Sequence, residues 1–165
     1  MNKTARFCSL VLLLAQAWVV SPSQAEDDFP TSPDLEMTPG SLCERPTEKR
    51  YPEGIPYCER NVTTERKRAI IADYDRKLGF HVQEMNRQEF KIDHFIPLCM
   101  GGSNATDNLW PQHKSVYSIT DPLEPILCEK MKAGRLRQAE AVKIIRDAKM
   151  NLPSVPKAIA MAKGL

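Results

Sequence analysis

The sequence predicts a small α+β domain: a short hairpin and a helix packed with additional α-helices, the whole braced by disulfides. Three observations lead there. Phe90 to Ile96 is a run of aromatic and β-branched residues followed by Pro97 and a Gly101-Gly102-Ser103-Asn104 turn, the pattern of a strand entering a reversal. Stretches near residues 65–78, 123–131 and 136–149 repeat apolar residues at helical spacing. Cys43, Cys58, Cys99 and Cys128 follow an N-terminal leader, and no two of them are spaced C-x-x-C.

In the leader, Lys3 and Arg6 precede an apolar run from Phe7 to Val20, and Ser23-Gln24-Ala25 supplies the small residues of a cleavage site. Residues 1–25 therefore read as a signal peptide, cleaved after Ala25. The run is too short for a membrane span, which directs the mature chain to the periplasm or the medium. Oxidation of the four remaining cysteines is the chemistry expected there. The pairs Cys43–Cys58, closing a short loop, and Cys99–Cys128, tying the central segment to a helix, are favoured over a four-cysteine metal site. Charge is uneven: residues 26–59 carry nine acids and three bases, residues 60–165 twelve acids and eighteen bases. A basic body suits a polyanionic partner, although solvated helix faces explain much of the same excess.

The elements follow in order. Residues 26–41, acidic and proline-rich with few aliphatic side chains, are expected to be disordered, and residues 42–150 to form the domain. Thr63 or Thr64 caps a helix that ends at Gly79, with Ala69, Ile70, Tyr74 and Leu78 on its apolar face. After the strand at residues 90–96, a second extended piece includes Leu109 and Trp110 and is broken by Pro111. Asp121-Pro122-Leu123-Glu124 starts a helix, Gly134 interrupts, and Leu136 to Lys149 forms another, with Ala139, Val142, Ile145 and Ala148 as buried candidates. Residues 151–165 are expected to be a tail with at most a frayed turn.

The segment from Lys91 to His113 holds the chemistry. Asp93 and His94 are adjacent, so on a regular strand they point to opposite faces, and a shared site asks for a twist or bulge. Asn108 returns fourteen residues after His94, a length that fits a hairpin. The order D-H-x-x-P-L (Asp93, His94, Pro97, Leu98), G-G-S (Gly101 to Ser103) and D-N-L-W-P (Asp107 to Pro111) resembles the HNH endonucleases, a family of ββα-metal nucleases. Thr38-Pro39-Gly40 and the A-G-x-L-x-x-A-E-A segment at residues 133–141 look like exported bacterial proteins that carry this motif.

That resemblance implies a ββα-metal-like hairpin and a metal-dependent endonuclease acting on DNA, with RNA as the alternative substrate left open, and with little sequence preference. It implies one divalent ion (Mg, Mn, Ni or Zn). Asp93 would be a metal ligand, His94 the general base, and Asn108 would orient His94 or the loop that carries it. Family members place a histidine eight or nine residues after the asparagine, whereas His113 comes five after Asn108. The third ligand is thus either His113 or, from the next helix, Asp121 or Glu124. Arg87, Lys91 and Lys114 lie near enough in sequence to meet phosphates. The alternative is a non-catalytic polyanion-binding protein that keeps the scaffold.

Overall fold

The computed structural model describes residues 28–165, so the leader at residues 1–25 lies outside the described residues. The chain is α+β. A small hairpin, β1 (Glu48–Arg50) and β2 (Ile55–Tyr57), precedes helix α1 (Thr64–Leu78). The central hairpin is β3 (Phe90–His94) and β4 (Leu109–His113), followed by α2 (Lys114–Thr120), α3 (Leu123–Lys132), α4 (Gln138–Met150) and α5 (Val155–Gly164).

Local chemistry accounts for the boundaries. The Thr63 side chain accepts from the Arg66 amide at 3.2 Å and opens α1, and Gly79 closes it at φ 77°, a left-handed turn that glycine enters without a Cβ penalty. Ile70, Ile71 and Tyr74 form its buried face, while Leu78 stays partly exposed. β3 and β4 pair antiparallel without a break, from Phe90 opposite His113 to His94 opposite Leu109. Pro111 does not break β4 as expected. In a two-stranded ribbon both strands are edges, so a missing amide donor can face away from the partner.

Two hydrophobic clusters meet at this hairpin. One joins Ile70, Tyr74, Phe90, Ile92, Phe95 and Trp110. The other joins Ile96, Met100, Leu123, Leu127, Ile145 and Val155. β3 contributes Ile92 to the first, and just beyond its end Ile96 enters the second. Asp93 and His94 therefore lie at the seam between two apolar bodies.

Both ends of the described chain correct the expectation. Residues 28–41 are not disordered. They are strapped on by polar contacts rather than by aliphatic burial: the Thr38 hydroxyl bonds Tyr74 Oη at 2.7 Å and donates to Leu109 O, and the Gly40 amide donates to Asp107 O at 2.8 Å. Buried Pro30 and Pro33 add packing in a segment whose unfolded freedom is already restricted. Residues 151–165 are not a frayed tail either. Val155 and Ala162 bury one face of α5 against the second cluster, and tertiary packing of this kind stabilises a short helix that propensity alone would not. The cysteines pair as expected, Cys43–Cys58 and Cys99–Cys128, with Cα separations of 5.8 and 6.0 Å, which removes the four-cysteine metal site.

Candidate functional site

Asp93 and His94 both border one cleft of about 280 Å³, together with Glu124, Arg50, Arg60 and Tyr57. No bulge was needed to bring them together. His94 is the last paired residue of β3, and after one more cross-hairpin bond, Phe95 N to Asn108 O at 2.8 Å, the strand ends, so these neighbours can share a site at its end. A larger hollow of about 630 Å³ between residues 28–35 and 78–81 is lined by Asp28, Asp34 and His81 but by no lysine or arginine.

Lys149 is the residue around which the acids are arranged. It sits near the end of α4, fully buried, and its ammonium donates to Asp93 Oδ2 at 2.7 Å, Glu124 Oε1 at 2.7 Å and the His94 carbonyl at 2.6 Å. All three N–H bonds of the ammonium are used. Burial opposes its charge, but Asp93 and Glu124 outweigh that and hold its pKa above the ordinary lysine range. Burial likewise pushes the Asp93 carboxyl up; Lys149 and then Lys91 outweigh it, leaving Asp93 below the usual carboxylate range. For Glu124 burial wins, with Asp93 adding to it and Lys149 offsetting only part, so its pKa is raised.

Asp121 completes the acidic group from the turn between α2 and α3. Lys91 Nζ donates to its Oδ1 at 2.6 Å and lies 3.4 Å from Asp93 Oδ1. Asp93, Asp121 and Glu124 each present a carboxylate oxygen within 4.8 Å of the other two. An all-oxygen set of this size fits a hard cation such as Mg or Mn better than Ni or Zn, which favour nitrogen. Two ammonium groups already cancel two of the three negative charges, so the set suits weak rather than tight binding of such an ion.

His94 is buried apart from its cleft edge, and its Nε2 lies 3.1 Å from Asn104 Oδ1. Burial lowers its pKa, only partly opposed by Asn104 and Asp93, so the ring is neutral at neutral pH. Asn108 makes no side-chain hydrogen bond to His94. Its amide spans the base of the intervening loop, accepting from Ile96 N at 2.8 Å and donating to Ile96 O and Ser103 O at 2.9 Å each. Of its two expected roles, the contacts give it the loop. Gly102 is required in the same place, because a Cβ there would stand 1.8 Å from Ile96 O.

His113 is the correction among the expected ligands. It pairs with Phe90, three residues along β3 from Asp93, which is roughly 10 Å at ~3.4 Å per residue. Directly opposed residues share a face, and its ring lies 4.9 Å from that of Phe90 and 4.1 Å from Phe29. Its Nδ1 accepts from the Ser115 amide at 3.2 Å, capping α2. The helix begins immediately after His113, which makes it a cap and leaves Asp121 and Glu124 as the acids beside Asp93. Of the bases expected near phosphates, Lys91 is engaged by Asp121, and Arg87 donates to Phe90 O at 2.5 Å.

Lys149, Asn104, Arg50 and Arg60 were missed by the sequence reading. A signal for Lys149 existed: Ala141, Ile145 and Lys149 follow at four-residue spacing, placing the lysine on the buried stripe of α4. Nothing local marked the other three. Comparison with protein-family models, with curated proteins and with solved structures returns no match.

Proposed function

We propose that this protein hydrolyses phosphodiester bonds of nucleic acid, with DNA as the leading substrate and RNA as the alternative, with little sequence preference and outside the cytoplasm, in the manner of the HNH endonucleases that the central motif resembles. The observation that carries the reading is the convergence of His94, Asp93, Glu124, Arg50 and Arg60 at one cleft, with Asp121 behind them presenting a carboxylate oxygen within 4.8 Å of those of both acids. His94 takes the proton of the attacking water. Arg50, paired with Glu48 and stacked on Tyr57, and Arg60, which donates to Ile92 O at 3.4 Å, border the cleft and would turn their remaining N–H groups to phosphate oxygens, so a site built this way reads backbone rather than base edges. Asn108 keeps the loop after His94 closed. Asp93, Glu124 and Asp121 would hold Mg or Mn, which when bound offsets charge on the scissile phosphate and the departing oxygen. Two disulfides fit an oxidising compartment, and among the described residues no helix is long and apolar enough to cross a membrane.

One observation favours the second reading, a non-catalytic polyanion-binding protein: Lys149 already bridges Asp93 and Glu124. Plasmid digestion in Mg, Mn, Ni or Zn against a chelator control separates the two. Cleavage is expected with Mg or Mn and not with chelator, with His94→Ala slower by about 10²–10⁴-fold and His113→Ala near the parent rate. No cleavage under any ion, or His94→Ala digesting as fast as the parent, leaves only the binding reading.

A further inference from the structure

The turn after the cysteine-bearing loop carries a side chain, that of Asn104, whose orientation is fixed by two contacts besides the one it makes to His94. Asn104 Nδ2 donates to the Glu59 carbonyl at 2.8 Å, and Asn104 Oδ1 accepts from the Asn61 amide at 3.3 Å. A carbonyl can only accept and a backbone amide can only donate, so these two contacts assign the nitrogen and oxygen of this amide independently of His94. The Asn104 carbonyl accepts in turn from the Arg66 guanidinium at 3.1 Å, which pins the backbone beneath it. Glu59 and Asn61 lie within the three residues after Cys58, so the Cys43–Cys58 bridge anchors the segment that aims the amide.

The oxygen thus held faces His94 Nε2 at 3.1 Å. An amide oxygen has no proton to give, so the imidazole must supply it. Nδ1 makes no hydrogen bond among the described residues. Nor is it one of the buried side-chain atoms left without a partner there, which are Trp110 Nε1 and Gln112 Oε1. It is the ring nitrogen left open to the cleft.

We propose that Asn104 is a positioning residue that fixes His94 in its Nε2–H tautomer and turns Nδ1 toward the substrate. The assignment of Nδ1 as the proton acceptor rests on the reading of His94 as general base; the tautomer itself does not. Asn104 touches no reacting atom. It acts through His94, as carboxylates and carbonyls do when they orient an imidazole at a metal or catalytic site.

The test is a two-bond proton–nitrogen correlation spectrum of the intact, disulfide-bonded protein at a pH where the ring is neutral. The three histidines are assigned by the loss of signals in His81→Gln and His113→Gln. In the parent, His94 Nε2 should show the shift of a protonated ring nitrogen and Nδ1 that of an unprotonated one. Asn104→Asp keeps an acceptor toward His94 and should keep this pattern, whereas Asn104→Ala should give averaged shifts of mixed tautomers. The parent spectrum alone overturns the proposal if His94 carries its proton on Nδ1, whether or not any variant folds. In plasmid or dinucleotide cleavage, Asn104→Ala should lower kcat by about 10–100-fold with KM little changed. An unchanged tautomer and rate in Asn104→Ala likewise overturns it. If the parent shows the expected tautomer and no cleavage, it is the nuclease reading that fails, and the assignment of Asn104 stands.

Discussion

Lys149 shows what a single residue contributes at this seam. Removing one member of a buried ion group leaves the others uncompensated, and Lys149→Met should lower stability by about 3–5 kcal/mol in urea denaturation. The double variant Asp93→Asn, Lys149→Met should recover part of that loss. The sign of the pH dependence follows from the two carboxylates. Asp93 has a folded pKa below its unfolded value, so its contribution is present above the unfolded value, about 3.9, and is lost as pH falls through the folded one. Glu124, with a raised pKa, works the other way: its contribution is present below the unfolded value and is lost as pH rises through the folded one. Thermal unfolding followed from pH 5 to pH 2 should therefore fall less steeply in Asp93→Asn than in the parent. Asp93, His94 and Asn108 were legible in the sequence because a motif of short spacing holds them. Lys149 and Asn104 were not, since each gains its meaning from partners such as Asp93 or Glu59, far along the chain, that only the fold brings near.

Among the elements, the β3–β4 hairpin and its loop act as one unit. Asn108 binds both the amide and the carbonyl of Ile96, so the loop closes on backbone groups rather than on side chains whose identity could vary. Asn108→Ala leaves those groups buried and unpaired, at a cost of about 1–3 kcal/mol each. Gly102→Ala should be worse, because its Cβ meets backbone that cannot swing aside. Hydrogen exchange should show residues 96–103 losing protection in both variants, while α1, which packs against the hairpin from outside the loop, keeps its own. The hairpin and α1 could be foreseen from alternation, caps and glycine. The strap at residues 28–41 and helix α5 could not, because composition records how much a segment can bury by itself and not what a neighbouring surface offers it. Thr38 and Tyr74, and Val155 with α3, are such meetings.

At the level of the whole molecule, two covalent ties brace segments that reach the cleft, and Cys99 of the second lines it. Cys43–Cys58 fixes the loop that leads to Arg60 and to the groups aiming Asn104, and Cys99–Cys128 joins the segment after His94 to the helix that bears Glu124. In the chain-entropy model a closure spanning 29 residues stabilises by roughly 3–4 kcal/mol. Replacing both Cys99 and Cys128 by serine should lower the thermal midpoint and, in the same preparation, slow cleavage more than the fraction unfolded explains. The second tie also has a meaning in time. The histidine arm and the acid arm of the cleft are joined by a bond that a reducing cytoplasm does not sustain. A chain still inside the cell that makes it would carry every side chain of the site while lacking the clasp that holds the two arms in register. On the proposed activity, the site would be completed only where thiols oxidise and the Cys99–Cys128 bond can form.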